Sequence, residues 1–410
     1  MRMYMKLLLS FLLFVLAQPL AAEELRTVTP EAVGLSSERL ARIGAVMQAH
    51  IDAGRFPGAV ALIARKGELA YLEHWGTTTP ASIFRIYSMT KPVTSVAVMM
   101  LHEEGHFLLG EPISKFLPEL AEPEVLVEVD MNSIGRLDEK RSIVEPADRE
   151  ITIRDLLRHT SGYTYGFFGD SKVDELYVQA NLFNFDTPLP EFVRDLGELP
   201  LKFQPGTVWN YSVSTDVLGR LVEVVSGTPL DTFFHERIFE PLRMVDTGFV
   251  VPADERERLA VLYQNGKPST ERRSDFTVAR AMLSGGAGLV STVSDYLNFC
   301  RMLLNDGELE GTRLLSRKSV DAMTSDQLGD ADHGSLREGY GFGLGFAVAT
   351  DLGRMGKLGS VGEYAWSGIA GTAFFIDPKE DMIGVFMIQN MNDLTTLAQF
   401  KALAYQAIID

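Results

Sequence analysis

The alternation of hydrophobic and polar positions predicts a helix and a hairpin near the start of the chain. Residues 36–54 carry apolar side chains at helical spacing, with Gly54 near the end of the run. The apolar positions on one side of this helix are Leu40, Ile43, Met47 and Ile51. Residues 59–76 form two β-rich runs around Lys66 and Gly67, which is typical of a hairpin.

The end of the chain repeats this pattern in reverse order. Residues 371–390 give two apolar runs around Asp377 and Pro378, and residues 394–408 have the composition of a helix. Helix and hairpin at one end, and hairpin and helix at the other, predict that both termini meet in one antiparallel sheet covered by helices. The middle of the chain would then form a second lobe.

The middle, residues 83–280, is rich in helical patterns but contains long irregular links over 121–150 and 163–190. Links of that length inside a compact domain tend to be functional. Residues 162–185 are dense in aromatic side chains. They fit either a packed surface flap or the wall of a pocket for an apolar substrate.

The chain divides into an N-terminal signal and two lobes. Residues 1–22 read as a secretory signal, because basic residues precede an apolar run and small residues offer a cleavage point, although an uncleaved anchor is the alternative. Residues 23–82 and 281–410 form the predicted α/β lobe, and residues 83–280 form the helical lobe with the nucleophile helix. We therefore expect an exported protein, periplasmic or secreted.

Composition narrows the classes of function. A chain of 410 residues with 46% hydrophobic and 23% charged residues can bury a large core. Its net charge of −17 argues against nucleic acid as a partner and against long-range steering of anionic substrates. Cys300 is the single cysteine, so no intrachain disulfide can form, and its helical surroundings predict a buried thiol.

Ser88 and Lys91 stand one turn apart at the start of a predicted helix. Pro92 is tolerated only in a first turn, so the helix begins at or just after Ser88. Apolar residues follow on all its sides, which predicts a buried helix whose positive N-terminal end would stabilise an oxyanion and lower the pKa of Lys91. The alternative is a solvated lysine one turn from a capping serine.

Of two other catalytic patterns, one is present in the sequence and the other is absent. The stretch HEEGH at 102–106 matches a zinc-protease pattern, with His102 and His106 as ligands and Glu103 as base. Gly105 instead predicts the end of the helix, which would point His106 elsewhere. No serine has glycine at both −2 and +2, so the α/β-hydrolase nucleophile elbow is absent from the sequence.

Two further segments offer candidate site residues. Tyr211 follows a Pro-Gly turn and precedes an amphipathic run, so it is either a phenol presented into a cleft or a packing residue. Residues 366–368, Trp-Ser-Gly, lead into an apolar strand. Gly368 and Gly371 there mark either the close approach of another backbone or ligand, or a bulge.

Taken together, these segments resemble the serine hydrolases with the class C β-lactamase fold, and among them the family VIII carboxylesterases. The resemblance covers nearly the whole chain after the signal. It rests on SMTK at 88–91, YSV at 211–213 and WSG at 366–368. Secondary signatures are HTSG at 159–162, GGAGLVST at 285–292 and GYGFGLGF at 339–346.

The resemblance implies an α+β fold like that of β-lactamases and penicillin-binding proteins, with the active site between an antiparallel sheet and a mostly helical lobe. It implies Ser88 as the nucleophile, Lys91 and Tyr211 as its base pair, and the backbone N–H groups of Ser88 and Ile369 as the oxyanion hole. It implies no metal and no cofactor. The implied substrate-binding residues are Val213, Trp366, Ser367 and Gly368.

Departures from the family pattern narrow the substrate. Val213 stands where β-lactamases carry asparagine, and Trp366 stands where they carry lysine. Both changes favour neutral, apolar acyl groups, whereas the hydroxyl of Ser367 leaves a weak β-lactam activity open.

The sequence therefore predicts a serine carboxylesterase that acts on short to medium acyl esters as its small-molecule partners. The alternatives are a β-lactamase or D-amino-acid-specific peptidase, or a catalytically silent ligand-binding or cell-wall protein. Retention of Ser88, Lys91 and Tyr211 together argues against the silent protein, because binding alone requires none of them.

Overall fold

A computed structural model describes residues 26–130, 140–270 and 275–410; the predicted signal lies outside these ranges. The helices are α1 Ser37–Asp52, α2 Thr90–Glu103, α3 Ile153–Leu157, α4 Lys172–Gln179, α5 Leu189–Gly197, α6 Ser214–Ser226, α7 Leu230–Phe234, α8 Val293–Leu304, α9 Arg317–Met323, α10 Leu352–Met355 and α11 Leu394–Tyr405. Within the described ranges, none of these helices has the length and apolar character needed to cross a bilayer.

The strands are β1 Gly58–Arg65, β2 Glu68–Gly76, β3 Phe84–Arg85, β4 Glu124–Asp130, β5 Lys140–Pro146, β6 Tyr263–Gln264, β7 Lys267–Pro268, β8 Val290–Ser291, β9 Glu308–Leu309, β10 Thr312–Arg313, β11 Tyr340–Phe342, β12 Ala347–Ala349, β13 Tyr364–Ser367, β14 Ala373–Asp377 and β15 Met382–Ile388. Seven of them form one antiparallel sheet in the order β11-β12-β13-β14-β15-β1-β2.

Both predicted hairpins are present, and they lie side by side in this sheet. β1 pairs with β15 in a register that joins Ala59 to Ile388 and Arg65 to Met382. Every residue of β1 and β15 is buried, which explains their nearly unbroken apolar sequences. The expectation that the two ends of the chain share an antiparallel sheet is therefore confirmed.

Helices cover both faces of the sheet. The apolar side of α1 joins α11 in a core on one face, where Phe375 and Phe386 pack against Phe400. On the other face, α8 lies against β15, β1 and β14. Cys300 of α8 is fully buried there as expected, and burial raises the pKa of its thiol.

The helical lobe is built around α2, which packs against α6. Every residue from Thr90 to Leu101 is buried, so the expectation of a buried helix is confirmed. A core cluster extends continuously from α2 through α5 and α6 to α8 and the sheet. The lobe boundaries at residues 82 and 280 remain predictions.

The long links are more regular than the sequence suggested. Part of 121–150 is a hairpin in which β4 pairs with β5, with Leu126 opposite Val144, and part of 163–190 is helix α4. Serine and aspartate at the start of α4 form a capping box, a local signal that was available in the sequence.

Candidate active site

Ser88 lies in a 3₁₀ turn, Tyr87–Met89, immediately before α2. Tyr87 has a φ of 41°, which is uncommon for a residue with a side chain and has an energetic cost. The neighbouring backbone fixes this turn, because Ile86 donates its N–H to the carbonyl of Leu289 at 3.0 Å. The turn holds Ser88 half-buried at the edge of the core.

Lys91 is almost completely buried on the first turn of α2, with 1% of its surface exposed. Its Nζ donates to the carbonyl oxygen of Gly286 at 2.8 Å and lies 3.3 Å from Ser88 Oγ. The rings of Tyr211 and Tyr165 lie 4.6 and 5.3 Å from Nζ. The alternative of a solvated lysine is therefore wrong.

Tyr211 reaches the same serine from a different part of the chain. Its hydroxyl donates to Ser88 Oγ at 2.7 Å, although the two residues are 123 positions apart. Its ring packs against Trp366 at 5.4 Å between centroids. The structure thus brings Ser88, Lys91 and Tyr211 together around one hydroxyl oxygen.

The HTSG segment supports the loop that carries Tyr211. The carbonyl of His159 accepts the N–H of Asn210 at 2.9 Å, and the His159 ring lies 5.1 Å from that of Tyr211. Burial and the nearby Lys91 lower the pKa of His159 well below its usual range, so this imidazole packs as a neutral ring. Hydroxyl contacts of 2.7 Å and 2.8 Å join Ser161 to Ser214 and Ser214 to Ser212.

Asp216 on α6 holds the segment that positions Lys91, and sequence analysis missed it. Its Oδ1 accepts the Ser284 hydroxyl at 2.5 Å and the Gly286 N–H at 3.1 Å. Burial raises the pKa of Asp216, while Lys91 opposes that shift. A Cβ on Gly286 would stand 2.6 Å from Asp216 Oδ2, so the close approach needs glycine.

Little in the local sequence around Asp216 predicts a buried, positioning carboxylate. Helical spacing places it on the same side of α6 as Arg220 and Glu223, which is the pattern of a solvated face. Only the GGAGLVST signature pointed to this region, because Gly286 lies within it. The tertiary contact with that loop is what buries the carboxylate completely.

The end of β13 approaches the nucleophile turn closely at Gly368. A Cβ at Gly368 would lie 2.4 Å from the carbonyl oxygen of Ile86, while Ser367 still pairs with Ala373. The glycine therefore marks a close backbone approach. Within the described chain, the backbone N–H groups of Ser88 and Ile369 donate to no protein acceptor.

The expected substrate-binding residues divide into two groups. Trp366 and Ser367 are half-buried and line a cavity of about 210 Å³, and Gly368 is buried against the nucleophile turn. Val213 is fully buried in the main core at the start of α6, so its side chain offers no surface to a substrate, contrary to expectation. Its apolar side chain anchors α6 instead.

The HEEGH stretch marks a helix end. α2 ends at Glu103, Gly105 has a φ of 83°, and the exposed His106 lies 3.5 Å from Glu104. His102 faces the carbonyl oxygen of Phe107 at 2.8 Å, so the two imidazoles do not share a helical face. Across the described ranges, no group of three or more potential His, Cys, Asp or Glu ligands is placed to hold a metal ion.

The aromatic segment lies directly beside the catalytic candidates. Phe167 and Phe168 are 55% and 58% exposed, and the Phe168 ring lies 6.0 Å from that of Tyr211. Tyr165 packs between Tyr211 and Phe183, at 5.2 and 5.3 Å. This placement favours the wall of an apolar pocket over a packed flap away from the site.

A buried lysine and a tyrosine on one serine, under an antiparallel sheet, define the class of serine hydrolases with the β-lactamase fold. The Beta-lactamase family model matches residues 43–406, so the chain belongs to this family.

Known relatives include esterases. Protein Rv1367c of Mycobacterium tuberculosis (strain ATCC 25618 / H37Rv) is 36% identical over 365 residues, 84% of this chain and 88% of that protein. Esterase EstB of Burkholderia gladioli is 31% identical over 383 residues, 86% of this chain and 91% of that protein.

The solved structure of EstCE1, described as a hydrolase with promiscuous acyltransferase activity, is similar with a TM-score of 0.73 and 25% identity. The match covers 90% of this chain and 99% of EstCE1. A shared fold does not specify a substrate, which has to be argued from the site itself.

Proposed function

We propose that this protein is a carboxylesterase that hydrolyses short to medium acyl esters through an acyl-enzyme on Ser88. One observation carries the proposal: Ser88 Oγ lies 2.7 Å from the Tyr211 hydroxyl and 3.3 Å from the Lys91 amine. Serine needs such a neighbour because its hydroxyl is a weak nucleophile until a base accepts its proton. The esterase relatives support the same reaction class.

The proposed reaction has two halves. Ser88 Oγ attacks the acyl carbon while its proton passes to the Lys91–Tyr211 pair, and the N–H groups of Ser88 and Ile369 hold the oxyanion. The bond between the acyl carbon and the alcohol oxygen then breaks, and the alcohol leaves with a proton from Tyr211. A water molecule next attacks the acyl-enzyme and gives a proton to the pair, which releases the acid and restores the Ser88 hydroxyl.

The walls of the site support an ester over a β-lactam. The exposed faces of Phe167 and Phe168 suit an apolar group, because burying such surface against the substrate is favourable. Trp366 supplies an aromatic surface at the position where a β-lactamase carries a cation. Ser367 at the cavity keeps a hydroxyl available for a side activity.

The test compares 4-nitrophenyl butyrate with a chromogenic cephalosporin, using the wild-type protein and Ser88→Ala. We expect turnover of the ester and covalent labelling by a fluorophosphonate, both lost in Ser88→Ala. Turnover of the cephalosporin alone would establish the β-lactamase alternative. No labelling at several pH values, with no turnover of either compound, would establish the silent binding protein.

We also propose that the protein is exported, on the pattern of residues 1–22. The test is to express the full chain and to measure the mass of the protein recovered from periplasm and from medium, which shows where its N-terminus begins. Cleavage near Ala21 or Ala22 is expected. A full-length chain found only in the cytoplasm would contradict export.

A further inference from the structure

The cavity beside β13 gathers basic side chains from three separate segments. Its walls include Arg337 from the loop before β11, Lys357 after α10, and Lys401 on α11. Apolar walls accompany them, formed by Ala347, Ala365, Phe375, Leu397 and Ala398. A concentration of cations is unexpected in a chain with a net charge of −17.

Only one of the three cations has a partner among the described residues. Lys401 is paired with the fully buried Glu363, which also accepts from the Tyr405 hydroxyl at 2.6 Å. The side chains of Arg337 and Lys357 form no hydrogen bond or ion pair with any residue in the described ranges.

The three cations are close enough to act on one another. Burial lowers the pKa of Lys357, and repulsion from Arg337 and then Lys401 lowers it further. Glu363 is the carboxylate that opposes this shift. Arg337 and Lys357 are exposed residues, and like charges held near one another are stabilised by an anion between them.

Two tryptophans on the walls of the cavity connect it to the catalytic residues. Trp209 and Trp366 both line it, and their indole N–H groups are buried with no partner in the described chain. The same two rings lie 6.2 and 5.4 Å from the ring of Tyr211, which connects the cavity to the catalytic residues. Ser88 and Tyr211 themselves do not line it.

We propose that this cavity is a subsite for a carboxylate carried by the part of the ester that does not react. The proposal rests on the esterase function above and names its substrate class: esters with an apolar chain that ends in a remote carboxylate. Arg337 and Lys357 bind the carboxylate, and the alanines and Phe375 contact the chain. A lysine is absent from β13, where Trp366 stands instead, and the two cations that bind the carboxylate come from the loops before β11 and after α10.

The experiment uses 4-nitrophenyl half-esters of straight-chain dicarboxylic acids of increasing length, each matched with its methyl-capped neutral counterpart. A second series uses acetyl esters of ω-hydroxy carboxylic acids and their methyl esters, followed by proton release. The wild type should prefer the charged member of at least one pair by about tenfold in kcat/KM, through KM. Added salt should reduce that preference.

The decisive variant is the double substitution Arg337→Gln and Lys357→Gln, which should bring the ratio of charged to neutral ester close to one. The matched control is Arg317→Gln with Lys318→Gln, two exposed basic residues on α9 that pair with Asp321, and it should keep the wild-type ratio. Free dicarboxylates should compete with a neutral ester in the wild type and lose that effect in the double variant.

The outcomes separate the two proposals. Hydrolysis of no ester in either series would overturn the esterase function. Hydrolysis with no preference for a charged ester at any length, or a preference that survives in the double variant, would overturn the subsite and leave the esterase function standing.

Discussion

At the residue scale, Lys91 and Tyr211 contact the same oxygen of Ser88, so each can be tested by removing its polar atom. Lys91→Ala and Tyr211→Phe should each lower kcat by about 10² to 10⁴ and leave KM nearly unchanged, because each variant removes proton transfer and not substrate contact. Steady-state kinetics with 4-nitrophenyl butyrate measures this. A folded variant that kept wild-type turnover would exclude that residue from the reaction.

Asp216 allows a test of positioning without touching the reacting atoms. Its carboxylate holds Gly286, whose carbonyl oxygen holds Lys91 Nζ at 2.8 Å. Asp216→Ala should lower kcat by about tenfold to 10²-fold, since small displacements of a catalytic group have effects of that size. Asp216→Asn keeps an acceptor oxygen and should recover most of the loss.

Thermal denaturation of both Asp216 variants separates this role from general stability. If the two variants melted at the same temperature and had the same kcat, the carboxylate oxygen would have no specific effect on Lys91. A wild-type kcat in a folded Asp216→Ala variant would remove the positioning role altogether.

At the element scale, α3 and the HTSG segment depend on one buried carboxylate. Asp155 accepts from Arg149 at 2.6 Å, from Arg158 and Thr160 at 3.0 Å each, and completes the capping box with Thr152. Burial alone would raise the pKa of Asp155, but the bonds from Arg149 and Thr152 outweigh it and hold the pKa at about 2.

This lowered pKa predicts how stability responds to acid. The folded-state pKa lies below the ordinary value of 3.8, so Asp155 contributes stability above about pH 4 and loses it as pH falls towards 2. The contribution is about 2 kcal/mol. Asp155→Asn should reduce the fall in the free energy of unfolding over this range, measured by urea denaturation at several pH values.

The control for Asp155 is Asp195→Asn, at an exposed aspartate that pairs with Arg194 at 3.2 Å. An exposed ion pair contributes little to stability, so the free energy of unfolding of Asp195→Asn should depend on pH as that of the wild type does. Equal pH dependence in Asp155→Asn and the wild type would contradict the argument.

The elements that sequence analysis predicted well are those specified by local pattern. β1 is an almost unbroken apolar run, β2 mixes apolar and polar residues, and the two strands flank the Lys66-Gly67 turn. The buried α2 is apolar on all sides. The β4–β5 pairing was missed although EVLVEVD at 124–130 alternates apolar and charged residues, which is a strand pattern available in the sequence.

The residues of the candidate site also divide into those with a local sequence pattern and those that only tertiary packing brings together. Ser88, Lys91 and Tyr211 carry sequence signatures, and the structure brings them together. Asp216 and the basic cavity carry none, because their partners come from distant segments and only tertiary packing assembles them. The prediction that Val213 binds substrate was wrong for a related reason, because its position in a motif does not reveal whether its side chain points to the site or into the core.

At the scale of the whole molecule, segments from the beginning and the end of the described chain meet at the end of β1. Arg65, the last residue of β1, is 4% exposed, and its side chain contacts residues from both of these parts of the chain. It donates to the carbonyls of Val33 and Gly34 at 2.9 and 3.1 Å, and it pairs with Glu380 and Asp410 at 2.9 and 2.7 Å.

Its neighbour Lys66 provides a matched comparison, because it binds the same Asp410 at 2.6 Å with a side chain that is 49% exposed. Arg65→Met should lower the free energy of unfolding by about 3 kcal/mol, since it removes the donor of the buried Val33 carbonyl together with the bonds to the Gly34 carbonyl and to Glu380. Lys66→Met should change it by less than about 1 kcal/mol, because an exposed pair is weak. Urea denaturation measures both, and 4-nitrophenyl butyrate hydrolysis at 25 °C should be retained in both, because Arg65 and Lys66 take no part in the reaction. Equal destabilisation by the two substitutions would show that burial of Arg65 does not decide how strongly the ends of the chain are joined.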